Sequence, residues 1–133
     1  MTDDRVFEGV HCTLELRRPR AGVIVLILSG TDIGEFGRAP FEALDADLAA
    51  GPIEVFIDTR QARTASVGVA SEWALFFRTH RERITRVHIL TTTRFLQVSA
   101  GMVRDYALLA ERMDVLTDPA DLERRLGARV LAD

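Results

Sequence analysis

With 133 residues, 47% of them apolar and 28% charged, the chain is long enough to bury a core and too apolar to be disordered. Its net charge of −3 gives no electrostatic reason to expect nucleic acid or an anionic membrane as a partner. Seventeen basic residues are all Arg, which excludes Schiff-base lysine chemistry and a lysine phosphate clamp.

The amino terminus is acidic at Asp3 and Asp4, and no apolar stretch of signal-peptide type follows it. The longest apolar run, Val23 to Leu28, is too short to cross a bilayer. Cys12 is the single cysteine, so no intrachain disulfide can form. The expectation is a cytoplasmic chain forming a single domain over residues 1–133.

Val10, Cys12, Leu14 and Leu16 alternate with polar residues, which predicts a strand with one wet face. The stretch from Arg18 through Pro19 to Gly22 reads as a turn. Val23 to Leu28 is continuous and β-branched, as in a strand buried on both faces, and pairs with the first strand as a hairpin. Phe41, Leu44 and Leu48 recur at helical spacing until Gly51 and Pro52 stop the helix.

Ile53 to Asp58 predicts a second buried strand ending at the acidic residue, followed by a polar loop. Ser66 then caps a helix carrying Val69, Trp73, Phe76, Phe77, His80 and Ile84 on one stripe. Val87 to Leu90 is a short strand. Phe95, Val98, Met102, Tyr106 and Leu109 give a third amphipathic helix whose stripe is read as core-facing. Asp114 to Thr117 is the last strand, and Asp118 with Pro119 opens a final helix that Gly127 ends. The order β-β-α-β-α-β-α-β-α is an α/β class: a mixed, mainly parallel sheet covered by helices.

The opening hairpin, Gly30 just after the second strand, a strand closing on Asp58, and a helix entered through Ser66, Val67, Gly68 and Val69 together resemble a STAS-type domain. The resemblance is to its SpoIIAA-like group, which is similar to bacterial anti-sigma-factor antagonists, and it spans nearly the whole chain. It implies a regulatory module that switches protein partners, such as an anti-sigma or kinase-like protein. Members acting as phospho-switches carry Ser or Thr just before the Gly at that helix start. Here that position is Val67, the motif's acidic position is Ala65, and Ser66 is displaced by one. The resemblance therefore implies a partner-binding scaffold whose usual phosphoacceptor is lost. Trp73 and the segment from His80 to His88 look like the SpoIIAA-like branch, some of whose members are suspected of holding apolar ligands.

Several residues are candidates for chemistry. Asp58 at a strand end could receive backbone N–H groups or orient the Ser66 hydroxyl. The simpler reading has Asp58 tying down its loop and Ser66 capping the helix, while a functional one has Ser66 or Thr64 phosphorylated at the positive helix end. Arg60 and Arg63, with Arg38, could fork a carboxylate or phosphate, against the alternative of solvated loop charge. With Gly68 these form the expected binding or regulatory edge.

Trp73, Phe76, Phe77, Phe95, Met102 and Tyr106 are a rich aromatic set, read as core or as the lining of a pocket between helices and sheet. Phe76 and Phe77 stand about 100° apart on their helix, so one of them is expected to face a groove or a subunit contact. His11, His80 and His88 show no metal spacing, and the stretch from Gly30 to Gly34 lacks the phosphate-loop pattern. Cys12 reads as core filler. No catalytic residue, metal or cofactor is assigned.

Three functions compete. The first is a non-catalytic regulatory or interaction domain. The second is a binder or sensor of a small apolar, lipid-like ligand. The third is an enzyme, which no paired carboxylates, triad or metal spacing supports. The open edges of a mixed sheet are compatible with a homodimer in each case.

Overall fold

The computed structural model describes residues 4–131. The extreme amino terminus, including the acidic Asp3, and the last two residues of the expected domain lie outside that range. Six strands form one sheet in the order β1 to β6, where β1 is Arg5–Glu8, β2 Cys12–Arg20, β3 Val23–Asp32, β4 Ile53–Ala65, β5 Ile84–Leu90 and β6 Met113–Leu116. Pairings β1–β2 and β2–β3 are antiparallel, and those from β3 to β6 are parallel. The helices are α1 (Ala39–Ala50), α2 (Val67–Thr79), α3 (Arg94–Tyr106) and α4 (Pro119–Val130), with a short 3-10 turn at Arg81–Arg83 before β5.

The expected α/β class and mixed sheet are therefore present, with an additional strand. β1 carries one buried apolar side chain, Phe7, too little for a periodic signal. Val10, expected in the first strand, lies in the turn between β1 and β2 and is exposed. The expected turn at Arg18 is strand: Arg18 forks onto Asp47 of α1 with Nε 2.9 Å from Oδ1 and Nη2 2.9 Å from Oδ2, which ties β2 to that helix. Only Ala21 and Gly22 make the turn, with Gly22 at φ +81°.

Two cores sit on the two faces of the sheet. On one face Leu16, Ile24, Val55 and Val87 meet Phe41 and Leu44 of α1, Phe76 and Phe77 of α2, and Ala100 of α3. On the other, Val23, Val25, Phe56 and Leu90 meet Leu122 of α4. Val55 and Phe56 are both fully buried although their side chains point to opposite faces, which is what a continuous apolar run in a central strand requires. Removing the Phe56 side chain to Ala would cost about 3–5 kcal/mol.

Helix ends follow the cap chemistry. Ser66, Thr93 and Asp118 each accept a backbone N–H of their own first turn. Two expected boundaries move. α2 stops at Thr79, so Ile84 belongs to β5 and not to the helical stripe. α4 passes through Gly127 to Val130, since propensity there is weaker than packing and one Gly costs only about 1 kcal/mol.

Candidate functional site

The carboxyl ends of β3 and β4 lie side by side and deliver the chain to α2. Asp32 pairs with Ala65 in the parallel register, and the Ser66 N–H donates to the Asp32 carbonyl at 2.9 Å. Ser66 has extended dihedrals, and its Oγ accepts from Val69 N at 3.2 Å. Its hydroxyl oxygen is thus used as the α2 cap. Val67, at the position the resemblance gives to a phosphoacceptor, is exposed and has no hydroxyl. Gly68 follows in the first helical turn, where an added Cβ would meet nothing closer than the Ser66 hydroxyl at 3.9 Å.

The Asp32 side chain is 5% exposed, and its Oδ1 accepts from Gly34 N at 2.9 Å. Burial pushes its carboxyl above the ordinary range; Glu35 and Glu72 add to that, and the Gly34 N–H opposes it. Sequence reasoning missed Asp32, because at the end of an apolar run it reads as the start of a loop.

The edge expected around Asp58 is not a loop. β4 runs on to Ala65, so Asp58, Arg60, Arg63 and Thr64 are all strand residues. Gly30 and Thr31 of β3 supply the pairing for this extension, at Ala62 and Thr64. Alternation then separates the two halves of the expected site. Ile57 and Thr59 face α2 and α3, whereas Asp58 and Arg60 belong to the surface of the opposite face beside Ser29 and Gln61.

Asp58 does not orient the Ser66 hydroxyl. Its Oδ1 accepts from Arg60 N at 3.0 Å, and its Oδ2 lies 3.0 Å from Arg60 Nε. Arg60 Nη1 reaches Glu123 of α4 at 3.3 Å. Asp58 holds Arg60, and Arg60 touches α4. Arg63 is exposed, and Arg38 lies with its guanidinium 5.9 Å from the Phe41 ring at the start of α1. The structure does not gather these arginines into an anion fork.

The aromatic set also divides. Trp73 and Phe77 line a cavity of about 110 Å³ between the α2–α3 pair and the sheet, together with Leu14, Leu26, Leu28, Ile57 and Val69. Asp32, Thr59, Thr91 and Ser99 are its polar members. Thr59 Oγ1 donates to Leu90 O at 2.6 Å and Thr91 Oγ1 to Leu116 O at 3.4 Å.

Phe76 is core, 5.1 Å from Phe41 and 4.7 Å from His80 between ring centroids. Phe76 and Phe77 are both buried, contrary to the expectation that one of them faces outward. Trp73, only half-buried, packs against both rings, which themselves meet edge to face with centroids 6.0 Å apart.

Phe95, Met102 and Tyr106 do not line that cavity. With Val98 they are exposed by half or more, and they form the α3 wall of an outward groove of about 510 Å³ whose α2 wall is Val67, Ser71 and Leu75. Leu109 of the stripe read as core lies beyond the end of α3 and is buried, but the rest of that stripe is the outer face of α3. Its inner face is the stripe of Leu96, Ser99, Ala100 and Val103, which packs toward the sheet and α2. Arg78 of α2 stands over the Tyr106 ring, 5.1 Å from its centroid.

A second cluster lies under α4. His88, 3% exposed, places Nε2 2.6 Å from Glu54 Oε2 and Nδ1 3.3 Å from Arg125 Nη1, and its ring stacks on Phe56 at 4.3 Å. Arg129 Nε holds the other Glu54 oxygen at 2.7 Å, and Asp114 accepts from Arg86 and Arg125. Cys12 is buried, with its thiol pushed up to about 11, first by burial and then by Asp32 and Glu35. Among the described residues no three His, Cys, Asp or Glu side chains converge on a metal-sized site, and no helix is long and apolar enough to cross a membrane.

No family model and no curated protein matches the chain. Solved structures do. An uncharacterized protein of the DUF3478 family from Shewanella loihica PV-4, with a SpoIIAA-like fold, superposes at a TM-score of 0.64 with 16% identity over 90% of this chain and 98% of that one. An anti-sigma factor antagonist from Mycobacterium paratuberculosis gives a TM-score of 0.49 with 14% identity over 96% of this chain and 95% of that one. The chain has a SpoIIAA-like fold.

Proposed function

We propose that this protein is a non-catalytic regulatory module that binds a protein partner through the α2–α3 surface beside Ser66. The observation that supports it most is the outward groove. Val67, Leu75, Phe95, Val98, Met102 and Tyr106 are large apolar residues left exposed together. Scattered apolar residues on a surface need no explanation, but a contiguous set on two adjacent helices is the usual mark of an interaction face. Arg78 over Tyr106 puts a cation beside one end of the groove and Glu72 puts an anion in its α2 wall, which suits a partner whose apolar anchor is flanked by charges of both signs.

Control by phosphorylation at the usual position is lost in this reading, since Val67 has no hydroxyl and the Ser66 oxygen is committed to the helix cap. The remaining acceptors are Ser66, whose phosphate would sit at the positive end of α2 and at the lip of the groove, and Thr64 near the end of β4.

The test is affinity capture from the protein's own cytoplasm with the wild-type chain and with Met102→Glu as bait. A specific protein retained by the first and lost from the second is the expected result. The same proteins recovered with both baits would remove the groove from the account. If the wild-type chain itself is what is captured, the face is a homodimer contact.

A second reading has its own observation. The cavity of about 110 Å³ under Trp73 and Phe77 is lined almost wholly by apolar side chains, as a holder of a small apolar ligand requires. Native mass spectrometry of freshly purified protein tests it: an added small-molecule mass supports a ligand, and a bare polypeptide mass counts against one.

A further inference from the structure

We propose that the cavity between the α2–α3 pair and the sheet takes a short apolar alcohol of about four to six heavy atoms, its hydroxyl bound to the Asp32 carboxyl. This rests on the second reading above and adds size, polarity and anchor to it.

Size comes first. An apolar cavity of about 150 Å³ holds a benzene-sized molecule, so one of about 110 Å³ takes something slightly smaller and excludes a fatty acyl chain. Leu26, Leu28, Ile57, Val69, Trp73 and Phe77 offer nothing polar along most of its wall except the indole N–H, so the body of the ligand is hydrocarbon.

The polar members decide what the ligand's head must be. Thr59 and Thr91 have spent their hydroxyl protons on strand carbonyls, and Ser99 stands on α3 where the cavity borders the outward groove. Asp32 is different. Among the described residues its carboxyl receives one hydrogen bond, from Gly34 N, although a carboxylate offers about four acceptor positions. It is nineteen-twentieths buried and forms part of the cavity wall. No buried side-chain oxygen among the described residues lacks a hydrogen-bond partner, so the Asp32 oxygen that Gly34 does not bond is open to what fills the space beside it and can take a donor from there.

A hydroxyl meets that need in either protonation state of Asp32, because it donates to the carboxylate and can accept from the acid. Burial, with Glu35 and Glu72 nearby, raises the carboxyl and makes the acid form more accessible. The same three carboxyl groups disfavour a bound anion.

The experiment is an NMR titration of the full chain with n-butanol and, separately, with 1-chlorobutane, which has the same length and no donor. Chlorobutane is the more readily expelled from water, so a purely apolar cavity prefers it by at least about tenfold. The expected result is that n-butanol binds at least as tightly, shifting the amide signals of Val69 and Leu96 and the Trp73 indole. Asp32→Ala is expected to restore the tenfold preference for chlorobutane. Ala100→Leu, which fills the cavity from α3, is expected to abolish both.

A tenfold preference for chlorobutane in the wild-type chain overturns the proposal while leaving the apolar-ligand reading intact. No binding of either probe at millimolar concentration overturns both. Binding that survives Ala100→Leu places the probes outside the cavity and also overturns the proposal. The wild-type comparison stands by itself if Asp32→Ala does not fold.

Discussion

His88 Nε2 lies 2.6 Å from Glu54 Oε2 on the sheet face that α4 covers, and each partner has a second contact from that helix. Arg125 approaches His88 Nδ1, and Arg129 holds the other Glu54 oxygen. The arrangement suits a neutral imidazole whose Nε2–H donates to Glu54 while Nδ1 accepts from Arg125. Protonating Nδ1 would set one donor against another.

Burial is the largest influence on His88 and holds its pKa below the ordinary 6.5. Arg125 acts in the same direction, and Glu54 and Asp114 oppose it. In the unfolded chain His88 therefore takes up a proton at a higher pH than in the folded one. Its contribution is fully present above about pH 6.5 and is lost as pH falls through the lower folded value. Thermal melts between pH 8 and pH 5 are expected to show the melting temperature dropping by a few degrees. His88→Gln, which can still donate to Glu54 and does not titrate, is expected to flatten that slope. An unchanged slope in the variant would assign the pH dependence to other groups.

Gly30 is set by geometry. Its φ is +84°, and a Cβ there would lie 2.4 Å from the His11 carbonyl oxygen, which also accepts the Thr31 N–H at 2.9 Å. Gly30→Ala thus combines a left-handed backbone with a clash against main chain. It is expected to cost at least about 2 kcal/mol by urea unfolding. Gly127→Ala is the control. It sits inside α4, where an added Cβ meets nothing within 4 Å, and it is expected to stabilise by about 0.5–1 kcal/mol.

Asp32 titrates with the opposite sign from His88. Its folded value is raised, mainly by burial, so from pH 3.8 upward the unfolded chain gives up this proton first. The stability it confers as a neutral acid is present below that pH and is lost as pH rises through the folded value. Asp32→Asn can keep the bond from Gly34 N with its amide oxygen and carries no charge. It is expected to melt above wild type at pH 7.5, with the gap closing as pH approaches 4. A lower melting temperature for Asp32→Asn at every pH would mean that the ionised carboxyl is needed for the fold.

The fold was legible where one residue pattern has one structural meaning. Continuous β-branched runs at Val23 and Ile53 gave the central strands, and Ser66, Asp118 and Pro119 gave helix starts. Length was harder to read. β4 continues through Arg60 and Arg63 because Ser29 to Asp32 of the neighbouring strand pair with it, a tertiary cause that local polarity conceals. The Ser66 side of the site was legible as a cap. Asp58 was misplaced because a strand end was taken to open onto the Ser66 loop, whereas alternation puts Asp58 on the face of Phe56, opposite the cavity. Glu54, His88 and Arg129 are distant in sequence and no spacing rule connects them.

α3 offers the sharpest test of side-chain direction. Phe95, Val98, Met102 and Tyr106 recur at helical spacing and include the two aromatic rings of the helix, so periodicity and ring size favour them as the core. Burial favours Leu96 and Ala100, at 6% and 3% exposed. The two assignments predict opposite mutational outcomes. If the outer stripe is free, Met102→Glu and Val98→Gln change unfolding free energy by no more than about 0.5 kcal/mol, the usual range for exposed positions. Leu96→Ala, which enlarges the cavity beneath Trp73, is expected to cost about 2–5 kcal/mol. Chemical denaturation of the three variants decides the matter, with the slope against denaturant confirming that each unfolds as the wild type does. A loss of several kcal/mol from Met102→Glu in dilute monomeric protein would turn α3 over and take the groove with it. Stability that falls only for the Leu96 variant leaves an apolar face that the fold does not need, which is the property required of a surface kept for a partner.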